Sequence, residues 1–567
     1  MKKMRSITYI YLALSVLAAG ACSRSKFADL NSNPDAVTSI PPELELTTGQ
    51  MYKYQNSFEA YYDFNMYIKP WTQLSVDAAG NSNLSFEQVA NGNQRWSNFY
   101  NNVGPALVDV QHLISLIQDT TTAATYVYLN AIAGINLVEY AFYTTDPNGS
   151  MPFSQAFQAR YTGNLTPVWD TQENLFDTLD ARLAAYVKTL ETPQPVTQNT
   201  GGNQDLVFQG NVNKWIMSAN SLRLRMAMRL MKQNPTALTA IANQVLADPI
   251  GMIDNTADEW VFYQGGTTFE GGNYNPFDNG HNPSCEKHMV DFFNRTSDPR
   301  ERNILQPSAI NTQDIFDSAQ AQQQIPATAT FDGYAYRGQY ASPDSVTGAQ
   351  SYFTSTLNFS YKGVPQTNVH YPSLINPYLV YAPYTTAGGK NVTPVITYAD
   401  VCFMRAELIA KGLSNDNASA QSLYNAGITA SIEDYDAWSK LAATPNYVAL
   451  GANEISNYLL QPGVAYQAST GVEQILVQEY INDYLNCNEA WALIKRTGLP
   501  GSTGVIMPLE YLTSGGSPIV MPRRYQPNFP DLGDLNYNNA TSAINAELAQ
   551  PGYGQATDIT GKVWWDQ

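Results

Sequence analysis

Positive charge is scarce in this sequence, and so are cysteine, histidine and long apolar runs. Lys and Arg total 31 against 49 Asp and Glu, a formal net charge of -18 over 567 residues. That balance leaves no basic face for nucleic acid and repels an anionic membrane surface, so both are excluded as partners held by charge. Four cysteines occur, Cys22, Cys285, Cys402 and Cys487. A chain this long buries a large core without staples, and an odd number remains once Cys22 is set aside, so disulfides are not the framework. The four histidines, His112, His281, His288 and His370, lie near no Gly-x-Ser-x-Gly elbow and no Cys/His nucleophile signature. Phosphate-loop and dinucleotide glycine patterns are absent as well. Past the first 21 residues no stretch is long and apolar enough to span a bilayer.

At the N-terminus, Lys2, Lys3 and Arg5 precede the apolar run 7–21, which ends in Ala19-Gly20-Ala21 before Cys22. The run is shorter than the roughly 20 residues of a spanning helix and reads as an export signal. Its end resembles a bacterial lipobox, with residues 1–21 as the signal and Cys22 as the lipidated residue. Ala19 stands where a lipobox usually carries a large aliphatic side chain, the nearest leucine being Leu17. Ser23, rather than an aspartate, follows the cysteine, which by analogy favours the outer membrane. What the chain holds in quantity is aromatic surface: 37 Tyr, 21 Phe and 9 Trp beside only 14% charged residues. Many of these rings lie in Asn/Gly/Ser/Thr-rich segments. Aromatic faces ringed by amides suit sugar rings or peptides, although most aromatics in a globular protein are core.

Apolar residues recur at helical spacing over 126–142, 171–190 and 212–232, and again over 397–411, 418–442, 453–460 and 472–496. Thr171 and Asn453 are plausible starts, and Gly412 and Gly498 plausible stops. Paired helices with variable connectors suggest tetratricopeptide-like hairpins, without a clean 34-residue consensus. Segments 263–282 and 331–364, rich in Gly, Asn, Ser and Tyr, show no helical pattern; long irregular segments in a compact chain tend to carry function.

A series of segments, in order along the chain, carries a more specific signal. It runs from Phe27-Ala28-Asp29-Leu30-Asn31 through Thr145-Asp146-Pro147-Asn148-Gly149-Ser150-Met151-Pro152-Phe153 and Pro167-Val168-Trp169-Asp170 to the stretch 215–229. It continues with Tyr398-Ala399-Asp400, Met404-Arg405-Ala406-Glu407, Glu489-Ala490-Trp491, Arg496-Thr497-Gly498, Met521-Pro522-Arg523-Arg524-Tyr525 and Val563-Trp564-Trp565-Asp566. Together these resemble the SusD/RagB family, in particular the branch often called SusD-like type 2. The resemblance implies a mainly α-helical fold, with tetratricopeptide-like helix pairs as scaffold and a loop-rich ligand-binding half. It implies residues 22–567 as a single domain of an outer-membrane lipoprotein, lipid-anchored and facing the surface. Such a protein binds oligosaccharides, or in some members peptides, and delivers them to a SusC-like TonB-dependent transporter. No catalysis and no cofactor are implied.

The motifs themselves read as mostly structural. Trp215, Ala219, Leu222, Met226 and Leu230 line one stripe, while Arg223, Arg225 and Arg229 are placed to pair with carboxylates such as Glu407. His281, Cys285 and His288 are metal-ligand types, but a fourth ligand is missing and no metal is expected. Asp170/Glu173 and Asp254/Asp258/Glu259 are acid groups of the kind a glycosidase pairs; a secreted glycan-active hydrolase is therefore the alternative reading, although helix-start acids and solvated loop charges explain them better. For ligand binding two aromatic groups qualify: Trp71, Gln73 and Trp96 with Asn81 and Asn83, and the loop group Trp260, Tyr263, Tyr274, Tyr336, Tyr340 and Phe353.

Overall fold

The computed structural model describes residues 40–54, 58–79, 92–265, 277, 281–381, 389–527 and 530–567. The export signal and Cys22 lie outside the described residues, as do Asn81, Asn83 and Tyr274. The fold is mainly α-helical, about 52%. Its first half stacks α1 (Pro42–Tyr54), α2 (Gly104–Ser115), α3 (Val127–Asn148), α4 (Gln172–Glu191), α5 (Val212–Arg229) and α6 (Pro235–Ala247). The second half adds α7 (Lys287–Thr296), α8 (Gln313–Ala321), α9 (Tyr398–Ala410), α10 (Ala420–Leu441), α11 (Gly471–Asn482), α12 (Cys487–Thr497) and α13 (Tyr537–Leu548). Successive helices pack as pairs, α1 on α2, α3 on α4, α5 on α6 and α9 on α10, which is the tetratricopeptide-like scaffold.

Local chemistry accounts for the helix ends. Thr171 caps α4 by accepting from Asn174 N–H, and Thr397 and Asp400 form a reciprocal capping box at α9. Asn234 caps α6, with Pro235 at its first position. Gly498, in the left-handed region at φ 76°, ends α12. The continuous helix expected over 472–496 is two helices instead. The α11 backbone ends at Asp483, and Asn486 at φ -116°, ψ 62° turns the chain before α12. The segment 331–364 runs into an antiparallel hairpin of the strands Leu357–Tyr361 and Val364–Val369.

Two large cores form, one from α1 to α6 and one from α7 and α9 to α12. A two-stranded ribbon, β1 (Trp260–Gln264) antiparallel to β2 (Asn391–Ile396), divides its side chains between them. Trp260 and Phe262 enter the first core and Val261 the second, as the period of two in a strand requires. Where the cores meet, charge is buried. Arg225 on α5 pairs with Asp400 on α9 at 2.7 Å and Glu489 on α12 at 3.6 Å; Arg229 pairs with Glu489 at 2.8 Å and Asp146 on α3 at 3.0 Å. Burial alone would raise the Glu489 carboxyl, but Arg229 and Arg225 outweigh it and hold it below its usual range. The expected buried arginines are thus present with other partners. Glu407 is taken by Arg496 at 2.6 Å and Lys411 at 2.5 Å, while Arg223 binds Asp180 at 2.7 Å. The three described cysteines are buried and free.

Beside the ribbon, the buried carboxyls of Glu259 and Asp434 face each other. Burial first, and then the Asp400 charge, push Asp434 up to about 7. Such a group holds a proton in the native state that the unfolded chain releases, so its contribution to stability falls as pH rises from about 4 to about 7. Asp434→Asn is therefore expected to gain in unfolding midpoint relative to the native chain as pH rises through that window, measured by thermal melts at pH 5 and pH 8. An unchanged difference between the two pH values would refute the raised Asp434 carboxyl. Arg229→Ala strands Asp146 and leaves Glu489 with Arg225 alone, and is expected to lower the unfolding free energy by about 3–5 kcal/mol in urea titration. Lys362→Ala, at the exposed Lys362–Asp314 pair, should leave the midpoint where it is.

Candidate functional site

Two π-helices, Glu59–Ile68 and Phe99–Val103, both pack against the short helix Gln94–Asn98, the second of them carrying Phe99 and Val103 into the first large core. Each ends just before a proline, Pro70 and Pro105. A proline has no N–H to give the carbonyl four residues back, and its ring crowds that carbonyl, so the preceding turn widens. The closing bonds are accordingly five residues apart, Lys69 N–H to Phe64 O and Gly104 N–H to Phe99 O. The wide turns set which side chains face out. On the first π-helix Glu59, Asp63 and Tyr67 are buried, whereas Phe58, Tyr61 and Tyr62 keep exposed surface.

Those outward rings form a string. Phe58 and Tyr62 lie parallel with centroids 5.9 Å apart, Tyr61 meets Tyr62 edge-on at 4.8 Å, and His281 follows at 6.2 Å from Tyr61. At the far end His281 Nδ1 is 2.9 Å from Asp77 Oδ2. Burial would raise the Asp77 carboxyl, but the hydrogen bonds from His281 and from Ala79 N–H hold it below its usual range. At the near end Tyr52, Phe58, Gln94, Ser97, Asn101 and Asn102 line a cleft of about 360 Å³.

The amide wall is positioned from below. Asp63 on the first π-helix accepts Asn93 N–H at 2.6 Å and Gln94 N–H at 2.8 Å, which fixes the start of the helix Gln94–Asn98. Asn98 donates to Tyr52 O at 3.0 Å and to the Tyr140 hydroxyl at 2.7 Å, and its own carbonyl accepts from Asn102 at 2.9 Å. Arg95, buried beneath, stands 3.7 Å from Glu59 and fastens the same helix to the second half through Asn488. Rings with outward surface beside anchored amides offer an apolar face and hydrogen-bonding groups together, with no acid among the described residues that line the cleft.

The sequence-derived site residues are not brought together here. Trp71 is 3% exposed in the second core, Gln73 is 6% exposed, and Trp260 is fully buried. These three assignments are corrected, because none of the three side chains has a face to offer. Gln73 exchanges two hydrogen bonds with the Glu510 backbone at 2.9 and 3.0 Å, and Trp260 donates to the Tyr54 hydroxyl at 3.0 Å under Lys53. Trp96 is half-buried against Tyr100 and Trp169 at 5.0 and 5.7 Å. Tyr263 is 51% exposed on β1, while Tyr336 and Tyr340 are half-buried near α7, Tyr340 against Phe353 at 5.0 Å. None of these four lines the cleft. The residues missed by sequence reasoning, Phe58, Tyr61 and Tyr62, carry a readable signal: rings at i, i+3 and i+4, with acids at 59 and 63 on the opposite face.

The metal and acid constellations also resolve. His281 is paired with Asp77, His288 lies 2.6 Å from Glu286, and Cys285 is buried in the second core. Among the described residues no group of three or more His, Cys, Asp and Glu is placed to hold a metal ion. Asp170 accepts Phe153 N–H, Ser154 N–H and the Ser154 hydroxyl, Asp258 pairs with Lys214 at 3.4 Å, and Glu259 accepts Tyr398 N–H at 2.8 Å.

The sequence profile of the SusD-like family described as starch-binding associating with outer membrane matches residues 34–526. The chain belongs to this family. No curated protein matches it. Among solved structures, a chitin-binding protein superposes with a TM-score of 0.69 at 20% identity, covering 93% of this chain and 99% of that one. A SusD homolog from Bacteroides fragilis gives 0.64 at 15% identity, covering 93% and 100%. A chitin-binding SusD homolog from Flavobacterium johnsoniae gives 0.62 at 19%, covering 93% and 97%. At these identities the likeness establishes the SusD-like fold. Among the described residues of this family member no helix is long and apolar enough to cross a membrane.

The placement of the aromatics can be checked by stability. Trp260→Ala removes a fully buried indole and should cost about 3–5 kcal/mol in chemical denaturation. Phe58→Ala, at 60% exposure, should shift the midpoint little. Comparable losses in the two variants would place Phe58 in the core.

Proposed function

We propose that this SusD-like protein binds an oligosaccharide along the Phe58–Tyr62–Tyr61–His281 string, with the Gln94, Ser97, Asn101 and Asn102 side chains taking hydroxyl or amide groups. The observation that carries this reading is the string itself: the exposed Phe58 ring continued by the half-buried Tyr62, Tyr61 and His281 rings, beside anchored amides, in a member of a family described as starch-binding. A sugar's C–H face packs on each ring while the amides bind its polar edge. The net charge of -18 favours a neutral ligand over an acidic one. Two of the similar structures are named for chitin binding, so N-acetylglucosamine oligomers head the candidate ligands, ahead of glucans and peptides. Trp96, Tyr263, Tyr336 and Tyr340 are secondary candidates for contacts with a longer ligand.

The protein acts in nutrient uptake at the outer membrane, anchored through a lipid on Cys22 after removal of residues 1–21, with residues 22–567 as one binding unit. It passes ligand to a SusC-like TonB-dependent transporter and performs no chemistry on it. The assignment as a binder is supported by two of the carboxylates weighed for hydrolysis: Asp170 accepts from Phe153 N–H, Ser154 N–H and the Ser154 hydroxyl, and one Glu259 oxygen accepts from Tyr398 N–H.

Calorimetry against panels of chitin, glucan and peptide oligomers, with product analysis of the same samples, tests the reading. Saturable binding without turnover is expected, and Phe58→Ala/Tyr62→Ala should weaken it by about tenfold or more while the fold is kept. Sustained turnover after repurification, or affinity indifferent to the double substitution, would overturn it.

A further inference from the structure

Leu165, Val168, Leu532 and Leu535 are 56%, 41%, 86% and 70% exposed. Their segments are far apart in sequence, yet they form one surface. Asn536 Nδ2 donates to Pro167 O at 3.0 Å, and Asn539 Nδ2 donates to Thr166 O and Pro167 O, each at 3.1 Å. The turn bearing the two leucines is closed by Asp534 N–H on Asp531 O at 2.9 Å and Asp531 N–H on Asp534 Oδ2 at 2.8 Å. The apolar side chains are therefore held outward by a bonded frame. Next in the first loop, Trp169 is half-buried, 5.7 Å from Trp96.

Large aliphatic groups gathered beside a tryptophan pair have the anatomy of an interface centre, and a soluble surface seldom exposes such a group without use. Exposed acids adjoin it along the chain, while Arg160, an exposed cation earlier in the first loop, is paired with Asp109. Asp531 and Asp534 flank the leucines, and Glu173 and Asp177 follow Trp169 on the first turns of α4; all four are exposed. We propose that this surface docks a protein whose contact face is apolar and bordered by lysine or arginine. A second copy of this chain would set acid against acid, and an anionic bilayer would be repelled for the same reason. A basic border gains from the contact, mainly in association rate and orientation, while the leucines and the tryptophan supply the buried area. The inference does not depend on which ligand occupies the cleft.

The test uses two labelled amphipathic helical peptides with the same leucine face, one flanked by lysines and one by glutamates, titrated with the protein by fluorescence anisotropy. Flotation with phosphatidylcholine/phosphatidylglycerol vesicles and sedimentation velocity of the protein alone run beside it. The lysine-flanked peptide should bind about tenfold more tightly, and Leu532→Ser/Leu535→Ser should remove about tenfold of that affinity. Glu173→Lys/Asp531→Lys, two exposed sites that leave the frame intact, should move the preference towards the glutamate-flanked peptide. Binding indifferent to the leucine substitutions overturns the proposal. So does self-association or vesicle binding that the same substitutions abolish, which would assign the surface to a second copy or to a bilayer.

Discussion

The molecule turns on the ion network in which Arg225 and Arg229 of α5 meet Asp146, Asp400 and Glu489 from α3, α9 and α12. Burying charge is costly, and two well-packed apolar side chains would often stabilise as much. What the network supplies is direction: each guanidinium accepts only partners lying in its plane, so the two helical halves meet in one arrangement. The same seam carries a cavity of about 120 Å³ that Arg225 and Glu489 share with Lys53, Glu59, Arg95 and Glu139. Glu59 and Arg95 belong to the elements that build the candidate cleft. The position of the rings at the candidate cleft is thus referred through buried charge to the scaffold.

That connection explains how a site made of short, irregular helices keeps its shape. The π-helix carrying Tyr61 and Tyr62 would be weakly held by its own backbone, since wide turns pack their axis poorly. It is held instead by what its inner face grips: Asp63 on the Asn93 and Gln94 amides, and Tyr67 donating to Arg524 O at 3.2 Å. Rigid support under an exposed platform reduces the ordering cost on ligand binding. Solved structures at 15–20% identity share the fold, which fits a scaffold specified by helix pairing rather than by the residues on its surface loops.

Helix identity was legible where the apolar period was long and the ends were chemically marked, as in α4 after Thr171 and α9 after Thr397. Arg225 and Arg229 were readable as buried and paired because a charged residue on an otherwise apolar helix face must be compensated. Their partners were not readable, since Asp146 and Glu489 stand 83 and 260 residues from Arg229. The site was read less well. Trp71, Gln73 and Trp260 have the composition of a sugar platform, and composition is silent on which side of a wall a ring stands. Trp260 shows the difficulty: on β1 it enters the core while Tyr263, three residues on, points to solvent.

By itself the sequence determined a mainly α-helical, acidic chain with SusD-like segments in order, because helical period, charge balance and ordered motifs are properties of neighbours along the chain. Only the tertiary structure decided that Phe58, Tyr61 and Tyr62 stand outward beside the Gln94–Asn102 amides, and that Leu165 and Val168 join Leu532 and Leu535 on one surface. The first depends on how far two prolines widen the turns before them, the second on amide-to-carbonyl bonds spanning more than 360 residues. Exposure belongs to the packed whole, and no local pattern carries it.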